Sequence, residues 1–480
     1  MRILVAASEC YPLAKTGGLA DVAGALPPAL EALGHEVLTC VPGYPSVFAA
    51  LGEAVEIDTY GELYGGPARV LRGRAAGLDV AVVDAPHLFD RPGHPYVTPG
   101  GDEWGDNGFR FAALAVVARE LALGRVPDIS VDVVHAHDWQ AGLVPAYLAL
   151  DPRSRPASVM TIHNLSFQGQ MPPAWLGRLG LPAHAFGPDG VEYYGSVGFL
   201  KAGIYYADQI TTVSPTYALE IQGSLWGMGL DGLLRARGND LSGIVNGIDT
   251  TVWDPRHDAL IEPHYDADSL ERRGAHKAFV QERFGLEVDP ARPLFAVISR
   301  LAWQKGTDVL VEALDGVVGA GGQLVILGSG DPGMVDRCAG AASVYPGRVA
   351  TWFGYDEALA HRLQAGADVI VVPSRFEPCG LTQLYGLRYG CVPLVAGTGG
   401  LTDTVTDADA DPGDATGFVF QAGDPGALRA AFGRVAAVFA DRDRWRELQR
   451  RGMARDLGWT RAAQRYVEVY ERARAVRRRR

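Results

Sequence analysis

Lys15-Thr16-Gly17-Gly18-Leu19-Ala20-Asp21 places a lysine, a glycine pair and a carboxylate in one short stretch. Bare backbone at the start of a helix offers N–H groups and a positive dipole end to an anion. Lys15 adds a point charge, and Asp21 can accept hydrogen bonds from sugar hydroxyls. An ordinary strand-to-helix turn with an exposed lysine is the plain alternative. His135-Ala136-His137-Asp138-Trp139-Gln140 and Thr161-Ile162-His163-Asn164-Leu165 bring two further polar clusters with an aromatic residue. Their histidine spacing is a poor fit to zinc, and together they read as the polar floor of a binding site. In the second half, Ser299-Arg300-Leu301 precedes Gln304-Lys305-Gly306. A guanidinium fork and a compact ammonium suit one diphosphate. Arg375-Phe376-Glu377-Pro378-Cys379-Gly380-Leu381-Thr382-Gln383 sets Glu377 beside a helix start at Gly380, Leu381 and Thr382 that can hold a phosphate. Gly397-Thr398-Gly399-Gly400-Leu401 repeats that kind of turn.

These segments share one context: each follows a short apolar run. The runs are Ile3–Ala7, Val37–Val41, Val80–Val83, Val131–Val134, Val159–Ile162 and Ile210–Val213, then Leu294–Ile298, Leu324–Leu327, Val349–Phe353, Val369–Val372 and Val392–Val395. Continuous apolar runs alternating with helical stretches predict buried parallel strands covered on both faces. Their number exceeds one ordinary sheet, so the reading is α/β with two Rossmann-like, doubly wound domains. The expected boundaries are 1–243, 244–456 and a helical tail at 457–480, with a strand-like Ile244-Val245 and a polar, mainly helical connector between Asp254 and Pro293. Ligands of such sheets sit at the carboxyl ends of strands, where the motifs lie. Gly328-Ser329-Gly330-Asp331-Pro332-Gly333 matches G-x-G-x-x-G, but it follows a late strand and lacks the acidic partner. It reads as a glycine turn near the ligand.

Composition narrows the classes. The 480 residues carry 44 cations against 56 acids, a net charge of -12, with 48% hydrophobic residues. Residues 441–480 hold fourteen Arg and six acids, a local +8, so the first 440 residues carry a net of -20. Only four cations are lysines: Lys15, Lys201, Lys277 and Lys305. An acidic body argues against non-specific nucleic-acid or anionic-membrane binding. No stretch reaches the ~18 apolar residues of a membrane span, and the first apolar run is too short for a signal peptide. Five cysteines without metal spacing read as reduced thiols of a cytoplasmic protein.

The strings KTGGLADV, HAHDWQAGL, TIHNLSFQG, TTVSPTYA, GIVNGID, SRLAWQKG, LGSGD and RFEPCGLTQLYGLRYG run in order from residue 15 to about residue 404. In these the chain resembles the bacterial glycogen synthase and starch synthase family of ADP-glucose glucosyltransferases. The resemblance implies the GT-B fold: two Rossmann-like domains facing a deep cleft, with the last helix crossing back to the first domain. It implies ADP-glucose as donor, glycogen or another α-1,4-glucan as acceptor, and transfer with retention of configuration; no metal motif is visible in the sequence, and no cofactor is expected. By the same resemblance Glu377, His163, Asp138, Arg300 and Lys305 are the catalytic set. Lys15, Gly17, Gly18, Asp21, Asn164, Asn246, Gly380, Leu381 and Thr382 hold the nucleotide sugar, and Tyr355 stacks on its adenine. Tyr96 and Trp139 are the expected acceptor platforms. Two other readings stay open: an inactive glucan-binding protein on this fold, and a phosphorylase-like enzyme, which requires pyridoxal phosphate.

Overall fold

The computed structural model describes residues 1–479, and the chain divides into two compact units. Unit 1 comprises Met1–Gly247 and the residues from Trp459 onward; unit 2 is Ile248–Gly458. Unit 1 is built on a nine-stranded sheet. Its strands are β1 (Arg2–Ala6), β2 (Glu36–Pro42), β3 (Leu51–Tyr60), β4 (Ala68–Ala75), β5 (Leu78–Asp84), β6 (Val133–His137), β7 (Ala157–Ile162), β11 (Gln209–Thr212) and β12 (Leu241–Gly243). The order is β12-β11-β7-β6-β1-β2-β5-β4-β3. Seven of these strands run parallel, and β4 and β3 continue the edge antiparallel. A small antiparallel ribbon joins β8 (Gln170–Met171), β9 (Glu192–Tyr193) and β10 (Ser196–Gly198).

Unit 2 carries a six-stranded, all-parallel sheet: β13 (Leu294–Ile298), β14 (Gln323–Gly328), β15 (Val349–Phe353), β16 (Val369–Val372), β17 (Val392–Ala396) and β18 (Phe418–Phe420). Its order is β15-β14-β13-β16-β17-β18. Both faces of β13 are buried: Phe295 and Val297 enter one apolar cluster, Leu294 and Ala296 another. This two-sided burial is why the parallel strands read as unbroken apolar runs.

Both sheets reverse direction next to a central strand. In unit 1 the winding runs outward from β1 to β2 on one side and resumes at β6 on the other; in unit 2 the reversal lies between β13 and β16. A doubly wound sheet opens a crevice at such a point, at the strands' carboxyl ends.

Several local expectations are corrected. The residues 254–269 are turns rather than helix, and regular helix is confined to Leu270–Arg283. Here buried acids serve the chain itself: Asp254 accepts the Arg256 and Arg388 guanidiniums, and Asp258 accepts Tyr389 Oη at 2.6 Å and the Leu260 amide at 2.9 Å. The strand expected at Ile244-Val245 falls just before it, at β12. The sequence reading also passed over β3, β4 and β18.

Two lysines are structural. Lys201 Nζ is buried and donates to the carbonyls of Gly187, Pro188 and Glu192. Lys277 Nζ lies 2.7 Å from Asp368 and donates to the carbonyls of Pro290 and Arg292. The last helix, Trp459–Arg479, packs on the Gly18–Ala32 helix and on β7, burying Tyr466 and Tyr470 in the unit 1 core.

Candidate functional site

In unit 1, polar groups gather at the carboxyl ends of β1, β6 and β7. The loop after β1 is organised by Glu9, which is buried and which motif reading overlooked. Its carboxylate accepts the Thr16 amide, Thr16 Oγ1 at 2.6 Å, the Gly17 amide at 3.2 Å and the Tyr96 hydroxyl. One anion thus fixes the backbone entering the Gly18–Ala32 helix, whose start carries no side-chain cap. Lys15 Nζ pairs with Asp21 Oδ1 at 2.8 Å and lies 4.9 Å from the Tyr11 ring centre. The signal for Glu9 was present in the sequence: a carboxylate stands two residues past the end of the first apolar run, after Ser8.

Asp138 stands at the exit of β6 with φ +55°, a left-handed backbone that an L side chain adopts rarely and that clusters at functional sites. Its Oδ1 accepts the His163 amide at 2.7 Å, tying the end of β6 to the end of β7. Burial pushes the Asp138 carboxyl up to about 7, against the amides of His163 and Asn164, which favour its charge. His163 Nε2 lies 2.8 Å from His137 Nδ1. Burial holds the imidazoles of His135, His137 and His163 well below their usual range, so all three are neutral near pH 7. Asn164 turns its Oδ1 to the Ser166 amide at 3.0 Å. Asn246 is buried, and its Oδ1 has no hydrogen-bond partner among the described residues.

The two expected acceptor platforms are placed differently. Trp139 is 7% exposed and packs edge-on against Phe111, beside Phe199 and over the backbone of Gly169. It is a core residue, because the short helix after β6 turns that side chain inward. Tyr96 is half-buried, with its hydroxyl bound to Glu9 and Ser8 and its ring against Phe111. It braces the Lys15 loop from behind.

In unit 2, the loops after β13 and β16, at the reversal point, carry the remaining chemistry. Lys305 Nζ meets Glu377 Oε2 at 2.6 Å, and Ser374 Oγ donates to the same oxygen at 2.9 Å. Glu377 is buried, whereas Arg300 is exposed and takes part in no ion pair among the described residues. The two loops are laced together. Arg375 makes a bidentate pair with Asp308 at 2.6 and 2.7 Å, covers the Trp303 ring at 4.7 Å, and donates its amide to the Gln304 carbonyl. Ser374, Arg375 and Asp308 are supporting residues that the sequence reading left unassigned.

Glycines allow these loops their closeness. Gly306 has φ +67°, and a Cβ there would stand 1.9 Å from the Pro373 carbonyl oxygen. A Cβ on Gly330 would stand 2.3 Å from the Leu301 oxygen, so the Gly328–Gly333 turn lies directly against the Arg300 segment. Gly400 donates its amide to the Glu377 and Pro378 carbonyls, bringing the Gly399-Gly400 turn under the Glu377 loop. Gly380 has φ +74° and leads through Leu381 into the helix Thr382–Tyr389, which starts without a side-chain cap. Tyr355, after β15, is 77% exposed, with its hydroxyl on Glu357. Among the described residues no cluster of His, Cys, Asp and Glu is arranged to hold a metal ion, and no helix is long and apolar enough to cross a membrane.

Residues 2–236 match the family model described as the starch synthase catalytic domain, and residues 279–451 match glycosyl transferases group 1. A glycogen synthase of Rhodopseudomonas palustris (strain ATCC BAA-98 / CGA009) is 56% identical over 473 residues, covering 98% of each chain. A glycogen synthase of Mesorhizobium japonicum is 50% identical over the same length, again covering 98% of each. Among solved structures, the catalytic domain of starch synthase IV from Arabidopsis thaliana, bound to ADP and acarbose, superposes with a TM-score of 0.88 at 31% identity, covering 99% of both chains. Sucrose-phosphate synthase from Thermosynechococcus elongatus shares the fold, with a TM-score of 0.61 at 18% identity over 99% of both chains.

Proposed function

From the premise that the chain belongs to the glycogen synthase and starch synthase family of GT-B glycosyltransferases, we propose that its donor is ADP-glucose and its acceptor the non-reducing end of glycogen or a similar α-1,4-glucan. The reaction forms a new α-1,4 bond with retention and releases ADP. The observation that carries the reading is the reversal point of unit 2, where the exposed Arg300 shares the strand ends with the Lys305–Glu377 pair. The ADP of the starch synthase IV structure supports the nucleotide choice.

The difficulty of the reaction is the charge that grows on the departing diphosphate. Fixed cations aimed at that charge stabilise the transition state without reorganising as the bond breaks. Arg300 and Lys305 fill that role, with the helix start at Gly380, Leu381 and Thr382 adding amide donors. Lys15 and the Gly17-Gly18 backbone are further candidates for phosphate contact. Glu377 holds Lys305 in place and faces the glucosyl ring. Asp138, His163 and Asn246 take the sugar hydroxyls, with Asp21 and Asn164 beside them. Tyr355 offers its exposed ring to the adenine. Unit 1 serves the acceptor side, unit 2 the donor, and the protein works in the cytoplasm.

The deciding assay compares glucose incorporation into glycogen from ADP-glucose and from UDP-glucose. ADP-glucose should be preferred, and the product should be digestible as α-1,4-glucan. Equal use of both donors would overturn the nucleotide assignment. Absence of transfer from either would overturn the reaction.

A further inference from the structure

His137 is not among the groups assigned to the sugar, yet its hydrogen bond constrains the ring that is. His163 Nε2 and His137 Nδ1 lie 2.8 Å apart with the rings near-parallel, 5.1 Å between centres. Two neutral imidazoles can make this bond in two ways, because either ring can donate. The choice is settled on the far side of His137. Its Nε2 is buried and has no hydrogen-bond partner among the described residues. The nearest polar ring, His135 at 4.0 Å, has none to offer: its Nδ1 meets Tyr470 Oη at 2.9 Å and its Nε2 meets Thr161 Oγ1 at 2.5 Å.

If His163 donated, His137 would carry its proton on Nε2, as a buried N–H with nothing to receive it. Orphaned buried N–H groups are rare because they forfeit a full hydrogen bond with water. If His137 donates from Nδ1, its Nε2 is a bare lone pair and no donor is stranded. We propose that His137 is a positioning residue that locks the tautomer of His163: the proton sits on His163 Nδ1, so the ring offers a donor, and never an acceptor, to an oxygen of the bound sugar. Burial of all three imidazoles removes the doubly protonated form that would blur the choice near pH 7. The final helix contributes through Tyr470, whose hydroxyl is hydrogen-bonded to His135 Nδ1 and keeps that nitrogen from serving His137 Nε2. The functional half of this inference rests on the reading of His163 as a sugar-facing group.

The test is long-range proton–nitrogen correlation on the full protein labelled with 15N-histidine, with the His163 signals identified by their loss in His163→Asn. Wild type should show a protonated Nδ1 and a pyridine-type Nε2 on His163. His137→Phe fills the space without a donor and should move both nitrogens toward averaged shifts. His137→Asn puts an amide N–H near the original Nδ1 and should restore the wild-type pattern. Turnover should follow: about a tenfold fall in kcat for His137→Phe, donor KM within about threefold, and recovery of most of kcat in His137→Asn. A wild-type His163 protonated on Nε2 would overturn the proposal, as would an unchanged tautomer in His137→Phe. Wild-type turnover in His163→Ala would instead sink the sugar-facing reading and leave the tautomer result standing.

Discussion

Lys305 Nζ and Glu377 Oε2 lie 2.6 Å apart across the two loops at the reversal point of unit 2. The pair is mostly enclosed, with side-chain exposures of 18% and 7%, and Ser374 donates to the same carboxylate oxygen. Arg300, by contrast, is exposed and makes no ion pair among the described residues. The two cations assigned to one diphosphate therefore differ in what their loss does to the fold.

Lys305→Ala should lower kcat by about a hundredfold or more and also destabilise the protein by about 1–3 kcal/mol, because Glu377 is left buried without its cation. Arg300→Ala should lower kcat to a similar extent with the melting temperature unchanged. Lys305→Arg should also be slow, since a planar fork does not replace a compact ammonium in that space. Steady-state kinetics beside thermal melts separate the three. Near-normal turnover in either alanine variant would remove that side chain from the phosphate site.

Glu9→Ala should free the Lys15 loop, since Thr16, Gly17 and Tyr96 lose one shared acceptor. We expect about a tenfold loss in kcat/KM and faster hydrogen exchange at the amides of Thr16 and Gly17. Tyr96→Phe deletes only one of those bonds and should be much milder. Unchanged exchange in Glu9→Ala would show that the loop is held by other means.

The Asp138 carboxyl, raised to about 7 by burial, carries a pH signature. Between about pH 4 and 7 the unfolded chain has already lost this proton while the folded protein keeps it, so this group makes stability fall as pH rises through that window. Asp138→Asn removes the slope and keeps the amide acceptor, and asparagine tolerates the +55° φ at this position better than most residues. Relative to wild type, urea denaturation should find Asp138→Asn gaining on the order of 1 kcal/mol between pH 5 and pH 8. A pH-independent difference would contradict the raised value. Asp138→Ala should lose stability at every pH through backbone strain.

Gly306→Ala should be severe, because its Cβ meets the Pro373 carbonyl oxygen at 1.9 Å and φ is +67°. A loss of more than about 2 kcal/mol is expected, with Lys305 displaced alongside. Gly17→Ala makes the contrast: nothing lies within 4 Å of a Cβ there, and its φ is -158°, so the fold should hold. Comparable melting of the two variants would undo the argument from close approach.

The buried parallel strands were legible because burial on both faces leaves an unbroken apolar run, as β13 and β16 do. The antiparallel edge was not. β3 is mostly exposed and carries Glu53, Glu56 and Asp58, the polarity that keeps a sheet edge from pairing with other chains but erases its apolar signature. The motif residues were legible by type and by position after a strand. Which way a side chain turns was not: Trp139 follows a strand as a binding residue does, yet the helical turn at Asp138–Ala141 points it into the core. Supporting residues such as Glu9 and Ser374 escaped because they bind backbone and neighbouring side chains, and their partners are revealed only by the folded loops.

All four lysines are held in place: Lys15 by Asp21, Lys201 by three carbonyls, Lys277 by Asp368 and Lys305 by Glu377. Lys15, at 29%, has the most exposed side chain of the three that are ion-paired. The outer surface is thus cationic almost wholly through arginine, which amine-selective acylating reagents and lysine-specific proteases ignore. Apart from the α-amino group, Lys15 and then Lys305 are the first amines such a reagent meets, and both stand where the nucleotide's phosphates are assigned. On the assignment proposed above, ADP should slow amine labelling at Lys305 and at Lys15. Random attachment through lysine is correspondingly a poor way to tether or tag this protein without blocking it.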